Sequence, residues 1–211
     1  MQDSRAVLTL TLVALIAGCS SVERSRSLSD SNVPARTIAQ QVCSACHGMD
    51  GNSVSPEFPR LAGQQQSYLA RQLRDFRGRN RFDPPGPEFM WGISRGLSDA
   101  QIQGLAEYYA SQQSQPNKAG DPRLTAEGEQ IYRNGIPSRN IPACATCHGA
   151  GGQGAGDYPR VAHQHASYVI RELQSFQRTG ERPAPLMEGV SHELSAENIA
   201  AVANYVQGMS R

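Results

Sequence analysis

The sequence predicts an all-α chain of two tandem domains related by an internal repeat, and two observations lead to that reading. First, Phe58-Pro59-Arg60-Leu61-Ala62 recurs as Tyr158-Pro159-Arg160-Val161-Ala162 at an offset of 100, a register that continues through Ser67-Tyr68 with Ser167-Tyr168 and Phe76 with Phe176. The offset then drops to 97, aligning Met90 with Met187, Leu97-Ser98 with Leu194-Ser195, Ile102 with Ile199 and Tyr108 with Tyr205, so the second copy carries a three-residue deletion. Second, apolar residues recur at helical spacing (Ala35, Ile38, Ala39, Val42; Leu69, Leu73, Phe76; Ile102, Leu105, Ala106, Tyr109), and no alternating run suggests a strand.

Taken in chain order, residues 1–18 read as a lipoprotein signal. Arg5 is a short basic region, Ala6 to Ala17 form a 12-residue apolar core too short to span a bilayer, and small residues precede Cys19. Lipidation of Cys19 adds two or more acyl chains and a stable anchor, since one chain alone binds marginally. The alternative is an ordinary secretory signal that leaves Cys19 an unmodified thiol; either way the chain is exported. Ser20 after the cysteine resembles lipoproteins sorted to the outer rather than the inner membrane. Residues 19–33 hold six serines between 20 and 32 and read as a flexible, solvated tether.

The folded part divides into domains at 34–111 and 124–211, joined by a linker over 112–123 rich in Gln, Pro, Gly and Asn. Ser98 with Gln101 is a capping box that starts the last helix of the first domain. Ser195 caps its counterpart, with Asn198 in place of the glutamine. The second copy has extra chain, Ile136 to Ala143, before its cysteine pair. Domains of about 90 residues have modest cores, so an apolar cofactor is expected to supply part of the missing interior.

Cys43-Ser44-Ala45-Cys46-His47 and Cys144-Ala145-Thr146-Cys147-His148 lie 101 residues apart. Two thiols three positions apart can each add to one vinyl group of the same porphyrin, and the histidine that follows is placed to be the proximal ligand of its iron. The pattern therefore predicts two covalently bound haem c groups, held by Cys43, Cys46, Cys144 and Cys147 and ligated by His47 and His148. A zinc module built from the four thiols would leave both histidines unexplained.

These features together resemble small class I c-type cytochromes in tandem, specifically the dihaem cytochrome c4 family, over residues 34 to 211. The resemblance implies an electron-transfer protein, not an enzyme, with a sixth ligand to each iron. Of the candidates, Met1 leaves with the signal, Met49 lies beside the proximal histidine, and Met209 is expected at a frayed terminus. Met90 and Met187, each seven residues before the leucine that introduces the last helix, are the expected ligands. The resemblance also implies that Pro59 and Pro159 accept the ring N–H of His47 and His148. Arg60, Arg160, Tyr68 and Tyr168 become candidate propionate partners, since guanidinium forks suit carboxylates.

His163, His165 and His192 occur in the second copy only and read as surface or supporting residues, with His192 the rival ligand because it follows Met187 by five positions. Arg71, Arg74, Arg77, Arg79 and Arg81 form a basic stretch, read as a solvated face with a docking patch as the sharper alternative. Residues 33–118 carry nine basic and seven acidic side chains, and residues 119–211 eight and nine, a balance that excludes nucleic-acid binding. Redox partners are expected instead: a quinol-oxidising complex or dehydrogenase as donor, a terminal oxidase or reductase as acceptor, met at a membrane through the lipid anchor. The alternative is an electron-transfer subunit of a dihaem enzyme such as a thiosulfate dehydrogenase or peroxidase, or such an enzyme itself, which needs an open or unusual distal site.

Overall fold

The computed structural model describes residues 26–83, 86–178 and 184–209. The signal, Cys19 and the start of the tether lie outside the described residues. In the first domain α1 (Ala35–Ile38) runs through a π-helical turn (Ala39–Cys43) into α2 (Ser44–His47), followed by α3 (Gln66–Arg77), α4 (Gly86–Ser94) and α5 (Asp99–Ala110). The second domain repeats the order with α6 (Pro122–Asn134), a 3-10 turn (Pro137–Arg139), α7 (Ala145–His148), α8 (Ala166–Gln177), α9 (Pro185–Ser191) and α10 (Ala196–Gln207). Among the described residues there is no strand, only isolated bridges such as Ile136 with Ile141.

Each domain has its own core. Ile38, Ala39, Leu69, Ala70, Leu97, Ile102, Leu105, Ala106 and Tyr109 fill the first, where α5 packs across α1 and α3. Ile131, Tyr132, Ile141, Leu173, Leu194, Ile199, Val202, Tyr205 and Val206 fill the second, where α10 packs across α6 and α8. Both last helices start on capping boxes. Ser98 Oγ accepts the Gln101 N–H at 3.2 Å and Gln101 Oε1 accepts the Ser98 N–H at 3.0 Å, while Ser195 and Asn198 make the same exchange at 3.2 and 3.3 Å. Asparagine is thus long enough for the return bond.

The tether expectation does not hold over its last residues. Gln101 Nε2 donates to the carbonyls of Asp30 and Val33 at 2.9 and 3.0 Å, Val33 is buried, and Leu28 packs on the first core. The linker likewise is stitched down. The Gln115 N–H bonds Asn52 Oδ1 at 2.9 Å, the Asp121 N–H bonds Asn204 Oδ1 at 3.2 Å, and α6 starts at Pro122 with Asp121 as its cap.

A pseudo-twofold set of bonds joins the domains. Gln64 Oε1 accepts the Arg160 N–H at 2.7 Å and Gln64 Nε2 donates to the Arg160 carbonyl at 2.9 Å, while Gln164 grips Arg60 in the same way at 2.8 and 3.0 Å. Ser67 Oγ donates to the Gly156 carbonyl and Ser167 Oγ to the Pro56 carbonyl. Arg71 pairs with Asp157 at 3.4 Å and Arg171 with Glu57 at 3.7 Å. Every one of these residues has its counterpart across the interface, so the repeat in sequence becomes a dyad in space. Replacing Gln64 by Leu orphans a backbone N–H and a C=O at a cost of about 1–3 kcal/mol each. Thermal denaturation of the haem-loaded protein should show a melting temperature several degrees lower, and Gln164→Leu should cost a similar amount; an unchanged value would mean that the exchange carries no weight.

Candidate functional site

Both cysteine motifs sit on a short helix that ends at the histidine, with the Gly48 and Gly149 N–H groups closing onto the Ser44 and Ala145 carbonyls at 3.0 Å. The loop that follows folds back under the helix. The Gly51 carbonyl accepts the N–H groups of Leu61 and Ala62 at 2.8 and 3.1 Å, and the Gly152 carbonyl accepts those of Val161 and Ala162 at 2.8 and 3.0 Å. Gly51 has φ +76° and a Cβ there would meet the Ala62 nitrogen at 2.8 Å, so glycine is required on both steric and conformational grounds.

This closure brings the proline carbonyl to the imidazole. His47 Nδ1 lies 2.9 Å from the Pro59 oxygen and His148 Nδ1 lies 2.8 Å from the Pro159 oxygen. A carbonyl can only accept, so Nδ1 carries the proton and the Nε2 lone pair is left for a metal. Burial lowers both histidine pKa values, against the opposing pull of the proline carbonyls, which keeps the rings neutral as ligands must be. Burial also pushes the Cys43 and Cys144 thiols up to about 11, so before haem is attached they stand as neutral thiols at physiological pH. None of Cys43, Cys46, Cys144 and Cys147 forms a disulfide. Among the described residues no three His, Cys, Asp or Glu side chains converge as a metal site.

The two halves guard their first cysteine with a tyrosine from different helices. Tyr109 of α5 hydrogen-bonds the Cys43 side chain and approaches the Ala39 carbonyl at 3.4 Å. In the second half Tyr132 of α6 lies beside Cys144, its hydroxyl donating to the Gly149 carbonyl at 2.6 Å. Sequence alignment pairs Tyr108 with Tyr205 and so misses this exchange. Tyr109 and Tyr132 both lie at helical spacing on core faces, a signal that predicts burial but not its neighbour.

The candidate propionate partners occupy the domain interface. Arg60 donates from Nη1 to the His163 carbonyl at 3.0 Å and from Nη2 to Asn52 Oδ1 at 2.8 Å, leaving a buried Nε with no protein acceptor. Arg160 Nη2 lies 3.2 Å from His163 Nδ1. Tyr68 and Tyr168 stack on Arg71 and Arg171, and both lie close enough to Arg81 to act on it electrostatically. Met90 lies half-buried on α4, and Met187 lies on α9, packed against the second core.

The remaining histidines separate. His192 has a 74% exposed side chain, 3.8 Å from Glu193. His163 is only 2% exposed, donating from Nε2 to the Met209 carbonyl at 3.0 Å, with Ser114 Oγ on Nδ1 at 3.1 Å. Met209 itself is buried in the second core rather than frayed. His165 does in one half what Gln65 does in the other: its Nε2 donates to the Ser53 carbonyl at 2.9 Å, as Gln65 Nε2 donates to the Gln153 carbonyl at 3.0 Å. The basic stretch is not a uniform solvated face either. Arg81 is 5% exposed, with Nε on Asp83 Oδ1 at 2.8 Å, Nη1 on Gln72 at 2.7 Å and Nη2 on Glu172 of the second domain at 3.3 Å. Burial opposes its charge, but the Asp83 carboxylate outweighs that and holds it protonated.

Four thiols, two imidazoles with Nε2 left for a metal, and a buried Arg60 Nε with no protein acceptor fit two covalently attached haems, one in each domain. The fold and sites define a tandem, two-haem c-type cytochrome. A family profile described as "Cytochrome c" matches residues 33–113 and 125–210. The cytochrome c4 of Thiocapsa roseopersicina is 40% identical over 178 residues, covering 82% of this chain and 90% of its own. The crystal structure of reduced recombinant cytochrome c4 from Pseudomonas stutzeri superposes with a TM-score of 0.74 at 35% identity, covering 86% of this chain and all of that one. A protein of Thiomonas intermedia named "Thiosulfate dehydrogenase electron acceptor" is 34% identical over 171 residues, covering 78% and 76% of the two chains. The chain belongs to the cytochrome c family, and within it to the dihaem cytochromes c4; it is an electron-transfer protein with two covalently bound haem c groups.

The His165 geometry sets a pH dependence. Burial, with Arg60 adding to it and the Ser53 carbonyl opposing, lowers the His165 pKa below the ordinary value of 6.5. The folded state then binds a proton less readily than the unfolded chain, so stability is full above that value and falls as the pH drops through it. The melting temperature of the haem-loaded protein should decline as the pH falls through 6.5, and His165→Gln, which installs the residue of the other half, should make the decline shallower.

Proposed function

We propose that this cytochrome is an exported, periplasm-facing carrier, anchored by lipid at Cys19, that takes single electrons from a quinol-oxidising complex or a dehydrogenase and delivers them to a terminal oxidase or reductase. The observation that carries the proposal is the reciprocal exchange between Arg60, Gln64, Arg160 and Gln164. The residues it ties together directly follow Pro59 and Pro159, the prolines that hold the two proximal histidines. The two centres are therefore fixed relative to each other, as repeated intramolecular transfer needs.

Bound haem supplies a reversible one-electron change at iron. Everything else is done by the chain. Cys43, Cys46, Cys144 and Cys147 would hold each group through thioether bonds, and His47 and His148 would ligate its iron through Nε2. Pro59 and Pro159 keep the ring proton on Nδ1 and raise the basicity of Nε2. Met90 and Met187 would supply the remaining ligand of each iron, where a thioether would favour the reduced ion and leave no coordination position open. A closed centre suits transfer and disfavours catalysis. Among the described residues no helix is long and apolar enough to cross a membrane, which is compatible with attachment through lipid.

A second reading concerns the donor. The relative named as an electron acceptor of thiosulfate dehydrogenase favours a thiosulfate-oxidising enzyme in that place. Thiosulfate alone should leave the oxidised protein unreduced, whereas thiosulfate with such a dehydrogenase should reduce it. Reduction by thiosulfate alone would instead make this chain the enzyme.

Met90→Ala and Met187→Ala should each lower the potential of one haem, by on the order of 100 mV, and open that iron to added imidazole. Two unaltered potentials would refute the ligand assignment. Cys19→Ala should move the protein from the membrane fraction to the soluble periplasmic fraction and abolish palmitate incorporation.

A further inference from the structure

The pseudo-dyad makes the two domains comparable position by position, and at one place their surfaces part in chemistry. On α4, one residue past Met90, the Trp91 ring lies beneath two guanidinium groups, Arg79 at 3.9 Å and Arg95 at 5.1 Å from its centroid. Both arginines are exposed and Trp91 is half-buried, so the ring acts as a platform that restricts where the two cations sit. Arg79 holds a left-handed conformation, φ +55°, which a non-glycine residue adopts only at a cost. Arg74 is exposed on α3 nearby in sequence. Of the other arginines in this stretch, Arg71 is committed to Asp157, Arg77 to Asp99 and the Leu97 carbonyl, and Arg81 to its buried carboxylates.

The corresponding helix of the second domain is α9. Glu188 stands there in the place of Trp91 and His192 in the place of Arg95, followed by Glu193. His192 and Glu193 are exposed and lie 3.8 Å apart. One domain thus presents cations on an aromatic platform beside its late methionine, and the other presents carboxylates at the matching position.

The geometry points to the face formed by Arg79, Trp91 and Arg95 as the docking surface for a redox protein with an acidic patch, used by the first domain and not by the second. This rests on the carrier reading above and adds to it the chemistry of one partner and the domain it meets. The argument is charge complementarity: fixed guanidiniums pair with carboxylates in forked geometry and steer encounter at low ionic strength. A protein is favoured over an anionic bilayer because Trp91 is half-buried and engaged by its own arginines, and the acidic Glu88 lies three residues before Trp91 on the same helix.

The test is equilibrium binding of the haem-loaded protein to a zinc-substituted plastocyanin bearing an acidic patch, titrated at low and at high salt. Arg79→Glu with Arg95→Glu should weaken binding at least tenfold at low salt and flatten the salt dependence. Arg79→Gln with Arg95→Gln should fall between, and Glu188→Gln with Glu193→Gln should leave binding intact. Unchanged binding in both arginine variants, an equal loss in the glutamate variant, or arginine-dependent binding to phosphatidylglycerol vesicles but not to plastocyanin would each overturn the proposal. Reversible oxidation of the same preparations by ferricyanide reports separately on the carrier reading, which can stand or fall without the docking face.

Discussion

The structure depends on an exchange between two short loops in which glutamine side chains bind the backbone of the other domain. Each domain presents a Pro-Arg segment whose proline holds the proximal histidine and whose arginine N–H and C=O are taken up by a glutamine of the other domain. One glutamine satisfies a donor and an acceptor together, so neither loop leaves an interfacial peptide group unpaired at the cost such groups carry. The same bonds that close the interface therefore fix the imidazoles, and a displacement of one domain would be felt at both histidines. Serine and arginine contacts around the exchange repeat under the same dyad.

Symmetry of the frame does not extend to its contents. His163 and His165 occupy positions held by Gly63 and Gln65 in the first domain, and both are buried and donate from Nε2 to a backbone carbonyl. Arg81 is a buried cation bonded to Asp83 and Gln72 of its own domain and to Glu172, the residue equivalent to Gln72 in the other. Removing one member of such a buried pair leaves an uncompensated charge, typically worth about 3–5 kcal/mol. A duplicated frame with unlike charges in it gives two haem environments that differ without any change of fold.

Much of this was legible in the sequence, and the reasons are local. The cysteine pairs, the adjoining histidines and the capping serines are each defined by residues within a turn or two of one another. The prolines 12 and 11 positions past the histidines are within reach of a single loop. What was not legible depends on distant chain. The tail before Val33 looks solvated from its serines, yet Gln101 draws it down. Arg81 reads as part of a charged surface until Asp83 and Glu172 enclose it. His165 aligns with Gln65, but only the interface shows that an imidazole and an amide are doing one job. Tyr132 replaces Tyr109 beside the cysteine from a different helix, an exchange invisible to positional alignment.

The central claim is that this rigid pair of domains holds two low-spin haems, each between histidine and methionine. Potentiometric titration of the haem-loaded protein, followed by its visible and near-infrared spectrum, tests it most directly. The account predicts two one-electron transitions at positive potential, with the methionine–iron charge-transfer band present for both oxidised centres. A high-spin centre, or a transition at strongly negative potential, would contradict it by showing that one iron lacks its methionine.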